Sequence, residues 1–304
     1  MKTSNFDYVV VGAGVAGMTA AIYLKRANAK VIIIEKSAPG GQINRTAKIE
    51  NYPGFESIEG PVLAMNIFNQ VNKLGIEYRY GDVINIEDIE DQKIITTDTE
   101  EIICKAVIIA TGRSPRELGL ENEKQLTGRG ISWCAICDGI FYKDRKVAVV
   151  GGGNSALEEA IYLSNICEEV FLIHRRDEFR ADNILVDKIK NKSNIKIMYN
   201  SIIKKIHSED NKLSGLVVET GGSLSELKVS GLFIYIGFEP DTKFLKNLSI
   251  KLDNGYIVVD TQMRTNIKNI YACGDVIKKE VYQLSTAIGE AATAALSAEK
   301  DINK

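Results

Sequence analysis

Phe6 to Val11 is a short, β-branched apolar run, which turns through Gly12-Ala13-Gly14-Val15-Ala16-Gly17 into an Ala-rich stretch of helical period ending near Ala27. Lys30 to Glu35 then predicts a second strand. Strand, glycine turn, helix and strand form a βαβ unit, and such a unit implies parallel pairing. The same order returns at Arg145 to Val150, Gly151 to Ala156, a helix through Ser164 and a strand from Glu169 to His174. The two turns begin at 12 and 151, 139 residues apart, which predicts two copies of one architecture rather than a short-period repeat.

Between the copies, Ile76 to Tyr80, Val83 to Glu90, Lys93 to Thr97 and Ile102 to Ile109 predict short strands in an antiparallel layer. Ile197 to His207, Leu213 to Glu219 and Leu227 to Ile236 predict the same pattern in the second half. Apolar strands break into Gly and Pro at Ala110 to Pro115 and at Gly237 to Pro240, marking boundaries. The stretch from Tyr256 to a helix over Gln283 to Lys300 returns to the first domain. The expected fold is α/β, with two Rossmann-like three-layer domains: 1–115 and 241–304 form one, and 116–240 is inserted into it.

A chain of 304 residues is long enough for about two domains. Its 45% hydrophobic and 26% charged residues are the mix of a soluble globular enzyme. The formal net charge of -2, without a basic stripe, gives no reason to expect nucleic acid or an anionic membrane as partner. No apolar run of about 18 residues is present. The first strand follows so soon after Met1 that no signal peptide is expected before it. Five cysteines, at 104, 134, 137, 167 and 273, do not resemble a secreted disulfide framework, so a cytoplasmic location is expected.

In a G-x-G-x-x-G turn the first glycine makes the bend, the second admits a pyrophosphate to the backbone, and the third lets helix and strand pack closely. Gly12, Gly14 and Gly17 fill those places in the first turn, with Ala16 beside the third. Glu35, 21 residues after Gly14, can accept hydrogen bonds from an adenosine ribose. The second turn has Gly151, Gly153 and Ala156 in those places, with Asn154 and Ser155 opening the helix. At the same offset of 21 residues after Gly153 stands His174, followed by Arg175, Arg176 and Arg180. Guanidinium groups bind a 2′-phosphate in bidentate fashion where a carboxylate would repel it, so the second site is expected to prefer NADPH. The plain alternatives are a tight turn with no ligand and a solvated basic edge paired with Asp177 and Glu178.

Cys134-Ala135-Ile136-Cys137 lies between the two fingerprints and is followed by Asp138 and Gly139. Such a pair can serve redox chemistry, half of a zinc site or a core. Zinc needs four ligands, and the chain has only His174 and His207 besides its scattered cysteines. Redox catalysis is therefore the favoured reading, with Cys104, Cys167 and Cys273 as small core residues. Asp138 could protonate a leaving thiolate, or could simply cap a turn. No metal ligands are assigned. Nicotinamide gives a hydride and does not readily reduce a disulfide directly; a flavin between them can, which assigns FAD to the first fingerprint and NADPH to the second.

These residues, together with Gly40-Gly41-Gln42, Asn51 to Gly54, Ala110-Thr111-Gly112 and Gly274-Asp275, stand in the order and spacing of low-molecular-weight bacterial thioredoxin reductases, which the chain resembles over nearly its whole length. The resemblance implies FAD held by the first fingerprint, Glu35, Gly40-Gly41-Gln42, Asn51, Asp275 and the start of the last helix at Gln283. It implies that Cys137 faces the flavin, that Cys134 attacks the disulfide of thioredoxin and that Asp138 is the acid-base group. It also implies a homodimer whose middle domain rotates. Tyr282 stands where members often carry Arg. Relatives that draw electrons from ferredoxin have lost the nicotinamide motifs, whereas Gly151 to Ala156 and Arg175 to Arg180 are intact here. Two other readings compete: a flavin-dependent dithiol oxidase, whose usual mark is a degraded second fingerprint, and an electron-delivery flavoprotein for another disulfide partner.

Overall fold

A computed structural model describes residues 2–46, 48–90 and 92–303. They divide into two compact units, one of 1–44, 60–114 and 239–304, the other of 45–59 and 115–238.

At the centre of the first unit lies the strand Lys2–Val11, which pairs in parallel with Val31–Glu35 on one side and Glu100–Ile109 on the other. Side chains alternate across a strand. Tyr8 and Val10 therefore join one core with the helices Val15–Arg26 and Leu284–Ile302, while Val9 and Val11 join the other core, which includes Phe244, Leu245 and Val276. With both faces covered, its second half, Tyr8 to Val11, is apolar without interruption. Besides its ladder with Lys2–Val11, Glu100–Ile109 pairs antiparallel along its first half with Gln92–Thr97, and its end pairs in parallel with Ile270–Ala272.

The strand Glu77–Tyr80, expected in the antiparallel layer, instead pairs in parallel beside Val31–Glu35. The helix Gly60–Lys73 supplies the crossover that parallel pairing requires, and the sequence pattern did not disclose it.

The second unit has a parallel sheet in the order Ile195–Met198, Glu169–Ile173, Lys146–Gly151, Gly231–Tyr235 and Ile131–Ser132. The run expected as one strand from Ile197 to His207 is two. It breaks at Asn200, whose φ of 49° is left-handed, and resumes as Ser201–Glu209 in an antiparallel sheet with Lys212–Thr220 and Ser223–Leu227. Leu227 to Ile236 likewise divides, since Ser223–Leu227 ends one sheet and Gly231–Tyr235 enters the other. Cys104, Cys167 and Cys273 are buried.

Candidate functional site

In the first unit, Gly12 ends the first strand at φ 104°, and a Cβ there would lie 2.5 Å from the Ala110 carbonyl oxygen. A Cβ on Gly17 would lie 1.9 Å from the Gly12 carbonyl oxygen, so the helix can approach the strand only with glycine at 17. Gly14 differs, because a Cβ there meets nothing within 4 Å. It caps Val15–Arg26 with no side-chain hydrogen bond, so the first-turn N–H groups and the positive helix end open onto free space. A helix start of this kind suits an anion such as a pyrophosphate.

Several candidate residues converge around this turn. The Glu35 carboxylate accepts the Ala13 N–H at 2.7 Å and the N–H and hydroxyl of Ser37 at 2.8 Å each. A carboxylate offers about four acceptor positions, so about one remains for a ribose hydroxyl. The Gly40 N–H donates to the Ala13 carbonyl at 2.8 Å, holding Gly40 and Gly41 against the fingerprint, and Gly41 reaches a φ of 59°. Gln42 Nε2 donates to the Arg113 carbonyl at 2.7 Å. Ala110 is buried behind the turn, its N–H bonded to Val11, and Thr111 and Gly112 bond the backbone of Asp241. Gly274 packs against Ala16 and donates its N–H to Glu290 Oε2 at 3.0 Å. Gln283 caps the last helix through a reciprocal pair of bonds with Thr286. Asn51 belongs to the segment grouped with the second unit.

Arg113 was not singled out from the sequence. Its guanidinium lies 3.6 Å over the Tyr282 ring, and its Nε is 3.6 Å from Asp275 Oδ2. Lys279 adds contacts to Asp275 at 3.3 Å and to Glu290 at 2.8 Å. The ring at 282, where relatives often carry Arg, thus supports a guanidinium from elsewhere in the chain. The adjacency of Arg113 to Gly112 was the only signal available in the sequence.

In the second unit the same construction recurs. A Cβ on Gly151 would meet the Tyr235 carbonyl oxygen at 2.5 Å, whereas one on Gly153, the cap of Asn154–Ser164, meets nothing within 4 Å. Ala156 is buried in the third place and Ser155 is exposed. Asn154 exchanges two hydrogen bonds of 2.9 Å with Asp182, bracing the turn. His174 is only 6% exposed, and its ring fills the space that a side chain at Gly152 would need. Its Nε2 meets the Glu178 carbonyl at 2.8 Å and must carry the proton, since a carbonyl only accepts. Burial holds its pKa below the ordinary histidine value against the bonds to Glu178 and Gly151, and Arg176 and Arg175 push the same way. His174 is therefore a neutral strut of the loop that carries the arginines. Arg175, Arg176 and Arg180 are exposed, and among the described residues no ion pair joins them to Asp177 or Glu178, which counts against a self-paired basic edge.

Also in this unit, Cys134 and Cys137 form a disulfide with Cα atoms 5.3 Å apart. The Cys137 N–H donates to Cys134 Sγ at 3.2 Å, starting the single turn Ala135–Asp138. Ser132 Oγ donates to Asp138 Oδ2 at 2.5 Å, while Oδ1 is buried with no partner among the described residues. Burial raises the Asp138 pKa, opposed by the Ser132 bond, so the carboxyl keeps a proton to higher pH than a solvated aspartate.

Residues 6–291 match the protein family described as pyridine nucleotide-disulphide oxidoreductase. The thioredoxin reductase of Listeria monocytogenes is 43% identical over 301 residues, covering 98% of this chain and 94% of that protein. That of Bacillus subtilis is 42% identical over 296 residues, covering 97% and 94%. This chain belongs to the thioredoxin reductase family. The crystal structure of the thioredoxin reductase from Streptococcus pyogenes superposes with a TM-score of 0.94 at 42% identity, covering 98% of each chain. Membership in this family makes sense of two open glycine cradles and one disulfide in a single chain.

The two kinds of glycine predict opposite effects. Gly17→Ala should destabilise the ligand-free protein by about 1–3 kcal/mol, because the overlap outweighs the better helix propensity of alanine. Gly14→Ala should change stability by less than about 1 kcal/mol yet still lose FAD, since it fills only the cradle. Urea unfolding of the apoprotein and FAD retention on gel filtration separate the cases, and a Gly14→Ala protein that kept FAD at wild-type affinity would remove the cradle from the account.

Proposed function

We propose that this chain passes electrons from NADPH through FAD and the Cys134–Cys137 disulfide to oxidised thioredoxin. The observation that carries the reading is the disulfide closed beside a proton-holding Asp138. FAD would be held by the turn Gly12 to Gly17, Glu35, Gly40 to Gln42 and the neighbourhood of Asp275, and NADPH by the turn Gly151 to Ala156 with Arg175, Arg176 and Arg180. Bound there, the pair would supply two electrons to open the disulfide.

Within the chain, the reduced Cys134 thiolate attacks a sulfur of the thioredoxin disulfide, forming a mixed disulfide and releasing the first thioredoxin thiolate. Cys137 then attacks Cys134 Sγ. The Cys134–Cys137 bond forms, the bond to thioredoxin breaks, and the departing thiolate takes the Asp138 proton. That proton is available below the raised Asp138 pKa and lost as pH climbs through it. Asp138→Asn should cut thioredoxin turnover roughly a hundredfold. A variant within twofold of wild type would leave Asp138 as a turn cap only. A cytoplasmic homodimer belongs to the same reading, supported by the family resemblance; among the described residues no helix is long and apolar enough to cross a membrane.

The deciding experiment adds NADPH or NADH anaerobically to the purified protein, follows flavin absorbance, and then adds oxidised thioredoxin. Bleaching by NADPH followed by recovery on thioredoxin is expected. Bleaching without recovery would favour another disulfide partner, and oxygen-driven recovery alone would favour a dithiol oxidase.

A further inference from the structure

Ser132 closes the short strand Ile131–Ser132, where it pairs with Phe233, and it is 5% exposed. Its hydroxyl lies between the two working parts of the dithiol turn. Oγ accepts the Cys134 N–H at 3.0 Å and stands 2.5 Å from Asp138 Oδ2. A hydroxyl has one proton to give. The Cys134 carbonyl, at 3.4 Å, is the competing acceptor, and the contact to Asp138 is much the shorter, so the proton points at Oδ2.

An oxygen that accepts the Ser132 proton is not the one that carries the acid proton, so protonated Asp138 holds its proton on Oδ1. Oδ1 is buried and has no hydrogen-bond partner among the described residues. A donor whose acceptor arrives only with the substrate has this character. Tyr142, from the turn Gly139–Tyr142, and Tyr235, from the strand Gly231–Tyr235, feel the charge of Asp138, but among the described residues neither is hydrogen-bonded to it. The Tyr235 hydroxyl instead accepts the Ala135 N–H at 2.7 Å. Arg145 acts on Tyr142, and Glu159, whose own pKa burial pushes up to about 7, acts on Tyr235.

We propose that Ser132 is the positioning residue of the acid: it holds Asp138 by Oδ2, leaves Oδ1 to carry and deliver the proton, and ties that carboxyl to the Cys134 backbone. This rests on the thioredoxin reading above and deepens it. In the resolving step the bond between Cys134 and thioredoxin breaks, its electron pair leaves on the thioredoxin sulfur, and that sulfur takes the proton from Oδ1. Ser132 keeps its own proton throughout. Its bond to Oδ2 strengthens as the carboxylate forms, because a hydrogen bond to an ionised acceptor is the stronger one. Asp138 is then reprotonated from water.

Loss of the hydroxyl has a signed consequence. The Ser132 bond opposes the rise that burial causes in the Asp138 pKa, so Ser132→Ala should raise it further. With NADPH and thioredoxin, kcat of Ser132→Ala should be about tenfold lower on the acid side, and its fall with rising pH should begin at higher pH than in wild type. Ser132→Thr, which keeps a hydroxyl, should restore both. In an Asp138→Asn background Ser132→Ala should lower kcat no further, because it acts only through Asp138. Infrared difference spectra of the oxidised protein, with Asp138→Asn subtracted, read the carboxyl without nucleotide or thioredoxin. The Asp138 band should show the lowered frequency of a hydrogen-bonded C=O, and its titration should move to higher pH in Ser132→Ala. Wild-type turnover tests the thioredoxin reading alone, so that reading and this one fail separately. An Asp138 band that titrates at the same or lower pH in Ser132→Ala, or multiplicative effects in the double variant, would overturn the proposal. If Ser132→Ala does not fold, the wild-type band decides: the frequency of an unbonded C=O would put the proton on Oδ2 and overturn it.

Discussion

Cys134→Ser and Cys137→Ser each lower NADPH-dependent thioredoxin reduction on the order of a thousandfold or more, because either change removes a covalent step rather than weakening a contact. Flavin reduction by NADPH survives in both, since the two fingerprints are untouched. The cysteines then separate by what they trap. In Cys137→Ser the remaining Cys134 attacks thioredoxin but has no neighbour to resolve the adduct, so a mixed disulfide accumulates. Cys134→Ser traps far less. Mass spectrometry under non-reducing conditions reads the adducts, and stopped-flow absorbance reads hydride transfer. Near-normal turnover in Cys134→Ser, or loss of flavin reduction in both variants, would break the assigned order.

Arg175→Ala combined with Arg176→Ala reduces kcat/KM for NADPH by roughly a hundredfold and leaves NADH nearly unchanged. Each charge-assisted contact to a phosphate contributes about 1.5–3 kcal/mol, and about 1.4 kcal/mol is a factor of ten. Both side chains are exposed on a loop held from beneath by the neutral His174 ring. Raising the salt concentration should weaken NADPH binding more than NADH binding, because exposed charges are screened. Equal kcat/KM for the two nucleotides in the wild type would remove the arginines from the specificity account.

The two βαβ units, their glycine turns and the redox pair were legible because each is local: a bend that only glycine allows, an offset to the next strand end, two thiols two residues apart. Parallel or antiparallel pairing was not. Glu77–Tyr80 has the composition of any short strand, and only the crossover helix Gly60–Lys73 makes it parallel. The run from Ile197 onward looks continuous in hydropathy, yet a left-handed Asn200 divides it between two sheets. That the ring of His174 also braces the arginine loop was not readable from its offset.

By itself the sequence determined the chemistry: two nucleotide turns, a disulfide and a carboxyl beside it, all carried by residues close in the chain. What only the tertiary structure decided is which distant groups share an environment. Burial raises Asp138 and Glu159 because separate strands and helices exclude water around them. Arg113 meets Tyr282 and Asp275 because a strand end and the segment before the last helix converge. Tyr235 meets Ala135 across 100 residues of sequence. Such contacts depend on packing between elements remote in sequence, and no local pattern encodes them.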